Sequence, residues 1–485
     1  MFPVIVCNVS VSCPTNSKYI FGEAMDLDLR SSISARGPRY VAIADAVQRA
    51  IALNALVSGQ KLPTHRDLAK TLDVDVGTIT RAYAELKRRG LIETQVGNGS
   101  FVCQQRLDVP ETLVTPSRSG LIDLSHNFPP ASPVNPLLHE LLECLHPPLD
   151  VAQLMGHQTD IGQLAQRQAL AQWLTGLEME VSAADLVLTT GAQHGLLLAL
   201  QAVSEPGDTI LTESHTYYGA MAACAMLGRT LTGVAMDQQG LLPEALDQRC
   251  RETGARVLYC TPTLHNPTTA TMDLERRQAI IAVCREHGLT IIEDDVYRFL
   301  LDAPLPSLWS LDPGHTLHLS SLSKIVGPGL RLGFIVAARR WHGRLAAALR
   351  ATTLMAPALV GELAARLAQS GALQRMALAR REQARQRQQW AQALLAGQTF
   401  MSQPTAFHIW LKIGQDWSSE AFSAAARERD VGVSDGHLFA LEHSAKDSAV
   451  RVCICAAQGE AELREALSRL NGLLADGPLV SRVVL

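Results

Sequence analysis

Lys324 lies in Ser320-Ser-Leu-Ser-Lys-Ile-Val-Gly-Pro-Gly-Leu-Arg-Leu-Gly-Phe334, between a Ser321-x-Ser323 pair and a Gly-Pro-Gly turn, with Arg331 seven residues on. A lysine amine is a good nucleophile toward a carbonyl carbon. A serine hydroxyl and the bidentate fork of an arginine grip a phosphate. Upstream, Ile291-Ile-Glu-Asp-Asp-Val-Tyr297 is an apolar run ending in acids. That pattern belongs to a buried parallel strand delivering side chains at its C-terminal edge. Leu186 to Leu200 reads as strand, glycine turn and apolar helix. A helix start of this kind offers free N–H groups and partial positive charge to an anion, here at Gly191, Ala192 and Gln193.

The Lys324 segment resembles the Schiff-base signature of the fold-type I aminotransferases, class I/II. The resemblance implies pyridoxal 5'-phosphate, with Lys324 as its Schiff-base lysine and proton shuttle. It implies Ser321 and Arg331 on the phosphate, with the turn Gly191, Ala192 and Gln193 as the cradle. Asp294 would pair with the ring nitrogen, keeping the ring an electron sink. Asp295 is its rival, because sequence alone leaves open which carboxylate points inward. Tyr297 and Asn266 would bond the ring hydroxyl, Asn266 from Val257-Leu-Tyr-Cys-Thr-Pro-Thr-Leu-His-Asn-Pro-Thr268. Tyr217 is the first choice for an aromatic stacked on the ring, Tyr218 the second. Arg451, in Ala449-Val-Arg-Val-Cys-Ile-Cys455, would clamp the α-carboxylate of an amino-acid substrate or effector. An edge-strand arginine facing solvent has the same local pattern. Two positions depart from the family. Thr269 stands where Gly is usual, and His157 stands where a Tyr is expected to reach the neighbouring subunit's phosphate.

About 120 residues precede this region. Apolar side chains between Tyr40 and Leu56 fall at helical spacing, and Gly59 is a stop. Thr64 is a plausible N-cap for a short helix. After a turn at Asp73 to Asp75, Val76 to Gly90 forms another helix with Ile79, Tyr83 and Leu86 on one face. Leu91 to Val102 then alternates as a hairpin around Gly97-Asn98-Gly99. Three helices and a hairpin make a winged helix-turn-helix. The strings Leu-Pro-x-x-Arg-x-Leu-Ala and Arg-Ala-Tyr-x-x-Leu-x-x-x-Gly-Leu-Ile resemble the GntR family of bacterial regulators. The match implies Arg66, Thr78, Thr80, Gly97 and Asn98 as contacts to double-stranded DNA. Arg81, Lys87, Arg88 and Arg89 would add phosphate contacts. Val76 occupies a position where many relatives have Arg. From Arg36 to Arg106 there are 11 Lys and Arg against 6 Asp and Glu, a net of +5 in a chain of net −4. A basic module on an acidic body suits binding to phosphates. The whole arrangement resembles the MocR subgroup of GntR regulators.

The expected fold class is multidomain: a mainly α winged helix-turn-helix plus an α/β fold-type I aminotransferase-like domain with a smaller α+β C-terminal part. The expected boundaries are an irregular tail at 1–35, the DNA-binding domain at 36–103, a linker at 104–120 and the pyridoxal phosphate-binding domain at 121–485. Met25 is an alternative translation start. Arg344 to Ala396 is Ala-, Arg- and Gln-rich and reads as long helix. Ten cysteines fall without C-x-x-C pairs or His partners at metal spacing, so no metal site is expected. That cysteine usage suits a reducing cytoplasm. No apolar run reaches membrane-spanning length and no basic n-region opens the chain, so neither a membrane span nor a secretory signal is expected. Subunit-shared sites in the resembled family imply a homodimer. Two functions follow: a regulator answering pyridoxal phosphate and an amino-acid or amine effector, or a working aminotransferase carrying a DNA-binding module.

Overall fold

The computed structural model describes residues 39–52, 56, 59–88, 91–95, 98–102, 120–128, 143, 151–441 and 449–478. The chain divides into two compact units, Met1–Asp108 and Val109–Leu485. The expected 1–35 tail lies outside the described residues, as does the 104–120 linker except Gly120.

The first unit holds α1 (Arg39–Ala52), α2 (His65–Leu72), α3 (Val76–Arg88) and an antiparallel hairpin of β1 (Ile92–Gln95) and β2 (Gly99–Val102). Thr64 caps α2 by accepting from the Asp67 N–H, and Asp73 ends it in the left-handed region at φ 51°. That reversal aims α3 across α2, where Leu68, Leu72, Ile79, Tyr83 and Leu86 share one core with Ile43 and Val47 of α1. The Tyr83 hydroxyl donates to Pro63 O at 2.8 Å, and its ring meets the edge of His65 at 4.6 Å.

The second unit opens with β3 (Ile122–Asp123), α4 (Val151–Met155) and α5 (Leu164–Thr175). It continues through β4 (Leu186–Thr189), α6 (Gly191–Val203), β5 (Thr209–Glu213), α7 (Tyr218–Met226) and β6 (Thr230–Val234). A small hairpin of β7 (Met236–Asp237) and β8 (Gly240–Leu241) precedes α8 (Pro243–Thr253), β9 (Val257–Cys260), α9 (Leu274–His287) and β10 (Thr290–Asp294). Then come α10 (Leu308–Leu311), β11 (Thr316–Ser321) and β12 (Gly333–Val336). The large sheet has the order β4-β12-β11-β10-β9-β5-β6, parallel except for β12, which runs antiparallel to both neighbours. Apart from the edge strand β6, its strands are buried on both faces. Leu186 and Leu188 enter one apolar cluster while Val187 between them enters another. Such continuous burial is why these strands read as unbroken apolar runs.

The expected long helix from Arg344 to Ala396 is a correction. The structure breaks it into α11 (Arg339–Thr352), α12 (Ala358–Gln369) and α13 (Ala372–Leu394). Pro357 precedes α12, where its missing N–H and fixed φ stop a helix running through. Gly371 sits at φ 73° ahead of α13, a conformation that interrupts a right-handed helix. The chain then builds an antiparallel sheet, β13 (Phe400–Met401), β14 (Ile409–Lys412), β17 (Ala449–Val452) and β16 (Ser434–Asp435) in spatial order. Between these strands α14 (Ser419–Glu428) precedes β15 (Val431–Gly432), which pairs with β3, and α15 (Glu460–Asp476) is the last described element.

Candidate functional sites

The C-terminal ends of β9, β10 and β11 open into one cavity. Lys324, Asp294, Tyr297, Asn266, Ser321, Arg331, Ala192, Gln193, Tyr217 and Arg451 all line it. Gly191 stands just behind that wall at φ 81°, and a Cβ on it would lie 2.6 Å from Arg331 Nη2. Its missing side chain is the space the guanidinium occupies. Arg331 Nη2 also donates to Thr190 O at 3.4 Å.

Lys324 reaches into the cavity from the turn after β11. Its Nζ donates to Asn127 O at 2.6 Å and rests 3.8 Å from the centre of the Phe128 ring. The residue as a whole is half-buried. Burial, reinforced by the charge of Arg451, pushes its pKa down to about 7. About half of an amine so tuned is available as a base or nucleophile at neutral pH.

Asp294 ends β10. Tyr259 donates to its Oδ2 at 2.8 Å, while Oδ1 is buried without a hydrogen-bond partner. Burial raises this carboxyl to about 6, against the pull of the Tyr259 hydroxyl, with nearby Asp295 adding to the rise. Asp295 itself does not line the cavity, and its Oδ2 faces Arg298 Nη1 at 3.5 Å. The geometry therefore separates the two acids that the sequence left as rivals. It does not separate the tyrosines: Tyr217 and Tyr218 both line the cavity, with ring centroids 4.9 Å apart.

Tyr297 accepts from Asn127 Nδ2 at 2.7 Å. Asn266 accepts through Oδ1 from Arg451 Nη1 at 2.7 Å, which leaves its amide nitrogen for the cavity. Arg451 is 2% exposed and sits on β17, an interior strand between β14 and β16, so it is not the edge-strand arginine its local pattern also allowed. Its Nη2 donates to Ser125 O at 2.7 Å and to Ser434 Oγ at 3.1 Å, and its Nε is buried without a partner. Ser321 donates to Leu332 O at 2.9 Å and caps the turn by accepting from Ser323 N at 3.1 Å. Thr269 adopts φ 65°, the conformation that explains why a glycine suits that turn. His157 is exposed and does not line its own chain's cavity.

Sequence reasoning missed Asn127, Phe128 and Thr261 in the wall, and Tyr259 behind it. Asn127 acts on Lys324 through its backbone carbonyl, which no residue pattern encodes. Tyr259 was within reach: it alternates with Cys260 along a strand next to β10 and pairs in register with Ile292.

In the first unit, Arg66 is exposed at the start of α2 and Asn98 is exposed in the hairpin. Thr80 is exposed on α3, its hydroxyl donating to Val76 O at 2.9 Å. Thr78 is buried, and its Oγ1 donates to Asp75 Oδ2 at 2.5 Å. Lys87 and Arg81 are exposed; Gly97, Arg89 and the side chain of Arg88 lie outside the described residues.

Comparison with known proteins follows the same division. Residues 119–470 match "Aminotransferase class I and II", and residues 39–102 match "Bacterial regulatory proteins, gntR family". The chain is 30% identical over 442 residues to the uncharacterized HTH-type transcriptional regulator YdeF of Bacillus subtilis, covering 91% of this chain and 96% of that protein. It is also 30% identical over 322 residues to the 2-aminoadipate transaminase of Thermus thermophilus, covering 64% of this chain and 80% of that one. Among solved structures, the multiple substrate aminotransferase of Thermococcus profundus superposes with a TM-score of 0.69 at 22% identity, covering 78% of this chain and 97% of that one, a likeness of fold.

Proposed function

We propose, from the premise that this chain belongs to the class I and II aminotransferase family through residues 119–470 and carries a GntR-family DNA-binding domain at residues 39–102, that it is a transcriptional regulator of the MocR subgroup responding to pyridoxal phosphate and an amino-acid or amine effector. One observation carries the reading. A helix-turn-helix shares a chain with a cavity lined by Asp294, whose Oδ1 is buried and unmatched. A DNA reader adds nothing to a purely metabolic transaminase, and an orphan acceptor of this kind calls for a donor from a ligand.

The residues present fit pyridoxal phosphate. Asp294 Oδ1 would hold the ring nitrogen's proton, the Gly191 cradle with Arg331 and Ser321 would hold the phosphate, and Tyr297 with Asn266 would face the ring hydroxyl. Lys324 is the amine that anchors the cofactor. When bound, the cofactor supplies a carbonyl carbon for amines and a ring that withdraws electrons. The protein's own part is to lower the pKa of Lys324 toward neutrality, to fix Asn266 through Arg451, and to offer Arg451 to a carboxylate. An amine effector would bring to this cavity the same group that Lys324 offers, and regulation follows if the effector-bound and effector-free states present the DNA-binding unit differently.

The chain acts as a homodimer in the bacterial cytoplasm. Support for the dimer comes from Met155, Leu164 and Leu359, large apolar side chains left exposed on α4, α5 and α12, which a second copy would cover. Among the described residues no helix is long and apolar enough to cross a membrane.

A second reading, a working aminotransferase, is favoured by the depressed pKa of Lys324, which suits a proton shuttle. Fluorescence anisotropy of the full chain on the DNA upstream of its own gene, with and without pyridoxal phosphate and candidate amino acids at fixed salt, separates the two. Specific binding that shifts with these ligands supports the regulator. No specific binding, together with many turnovers of amino acid and keto acid, supports the enzyme.

A further inference from the structure

Among the described side chains, Val76, Gly77, Thr80, Arg81, Ala84 and Lys87 form the exposed face of α3, while Ile79, Ala82, Tyr83 and Leu86 turn into the core. In a helix-turn-helix the N-terminal residues of the second helix reach base edges in the major groove. Here those residues lack the groups that read purines by paired hydrogen bonds, namely Arg or Lys for guanine and Asn or Gln for adenine. Gly77 has no side chain. The Thr80 hydroxyl is turned back to Val76 O at 2.9 Å and to His65 Nδ1 at 3.2 Å. The Arg81 guanidinium lies 5.8 Å from the centre of the Tyr40 ring, and its Nε points to Gly77 O at 3.5 Å. Asp75, the nearest acid, is committed to the helix start, accepting from Thr78 N at 2.8 Å and Thr78 Oγ1 at 2.5 Å. What remains at the tip is Val76, a branched apolar side chain 44% exposed. In the major groove one base carries an apolar group of matching size, the C5 methyl of thymine.

We infer that Val76 is a specificity-determining residue that reads a thymine methyl, so each half-site carries a T·A pair under the start of α3 and not a guanine. The inference rests on the DNA-binding reading of the first unit. Lys87, Arg81 and Arg66 would then supply phosphate contacts that set affinity without choosing sequence.

The test uses the full-length chain. Sites are first selected from a random duplex pool at fixed salt. Every thymine of the selected site is then replaced singly by deoxyuridine, which lacks only that methyl. The expected result is one position per half-site where deoxyuridine lowers affinity about fourfold, the equivalent of burying one methyl group. In Val76→Ala, a change that raises helix propensity at an exposed site, that penalty vanishes while binding to unselected DNA is unchanged. A flat scan, or the same scan in wild type and Val76→Ala, overturns the inference and leaves DNA binding intact. A pool that enriches no sequence at all overturns the DNA-binding reading and the inference with it.

Discussion

Tyr259 donates its hydroxyl to Asp294 Oδ2 at 2.8 Å and leaves Oδ1 of the same carboxylate buried and unmatched. A hydrogen bond to one oxygen fixes the carboxyl's orientation, so the other oxygen is aimed without being spent. The cost falls on the ionised form of the carboxyl. Burial lifts the carboxyl to about 6, above its unfolded value. The native state therefore holds a proton that the unfolded chain has released, and this contribution to stability fades as pH rises through about 6. Above that, an ionised buried acid costs about 2–3 kcal/mol. Asp294→Asn removes that cost. The cofactor-free variant is expected to gain about 2 kcal/mol in urea denaturation at about pH 7.5, with the gain shrinking toward pH 5, while pyridoxal phosphate binding weakens. A gain that does not change with pH would contradict the assignment.

Lys324 carries the opposite sign. Its folded pKa is depressed to about 7, so below that pH the cavity must accept a charge it disfavours. Stability from this group grows as pH climbs from about 7 toward the unfolded lysine value near 10.4, and is lost as pH falls through about 7. Only the uncharged amine attacks a carbonyl. The rate at which the cofactor-free chain captures pyridoxal phosphate should rise along a single ionisation at about 7. A rate still climbing beyond pH 9 would mean the amine titrates like a surface lysine.

Arg451 couples the small sheet to the turn after β9. It bonds Asn266 Oδ1, Ser125 O and Ser434 Oγ at once. Lysine has the charge but not the fork, and it leaves one or two of these buried acceptors unmatched. Arg451→Lys is expected to lower stability by about 2 kcal/mol. Titration of amino acids into the cofactor-loaded variant should show at least about a tenfold loss of affinity, since a paired guanidinium–carboxylate contact is gone. Pyridoxal phosphate itself should still bind. Undiminished amino-acid binding would place the carboxylate elsewhere and favour a chain that senses the cofactor alone.

These residues differ in how legible they were. Asp294 closes β10, while Lys324 and Asn266 lie in the turns that follow β11 and β9, and parallel strands bring their C-terminal ends together whatever the sequence distance. Arg451 came from a β-like run on another sheet, and its burial depends on β17 being an interior strand, which local pattern does not specify. Asn127 contacts Lys324 from 197 residues away through a main-chain oxygen, so no spacing announces it. The long helix failed for a different reason. Composition favoured helix throughout Arg344 to Ala396, but Pro357 and Gly371, at the starts of α12 and α13, keep the preceding helix from running on, and single residues of that kind outweigh a favourable average.

Gly191 offers the cleanest test of the phosphate cradle, because its side chain is absent for two independent reasons. Its φ of 81° is a conformation that residues with a Cβ rarely adopt, and a Cβ there would stand 2.6 Å from Arg331 Nη2. Gly191→Ala must therefore strain the backbone at the start of α6 and push the guanidinium aside. The first effect should cost about 1 kcal/mol or more in denaturant unfolding without cofactor. The second should reach only ligands that carry a phosphate. Pyridoxal phosphate affinity is expected to fall about tenfold, the scale of one lost charge-assisted hydrogen bond, while pyridoxal without phosphate loses far less. Equal losses for both ligands would show that Gly191 acts on α6 alone and that the phosphate lies away from Arg331.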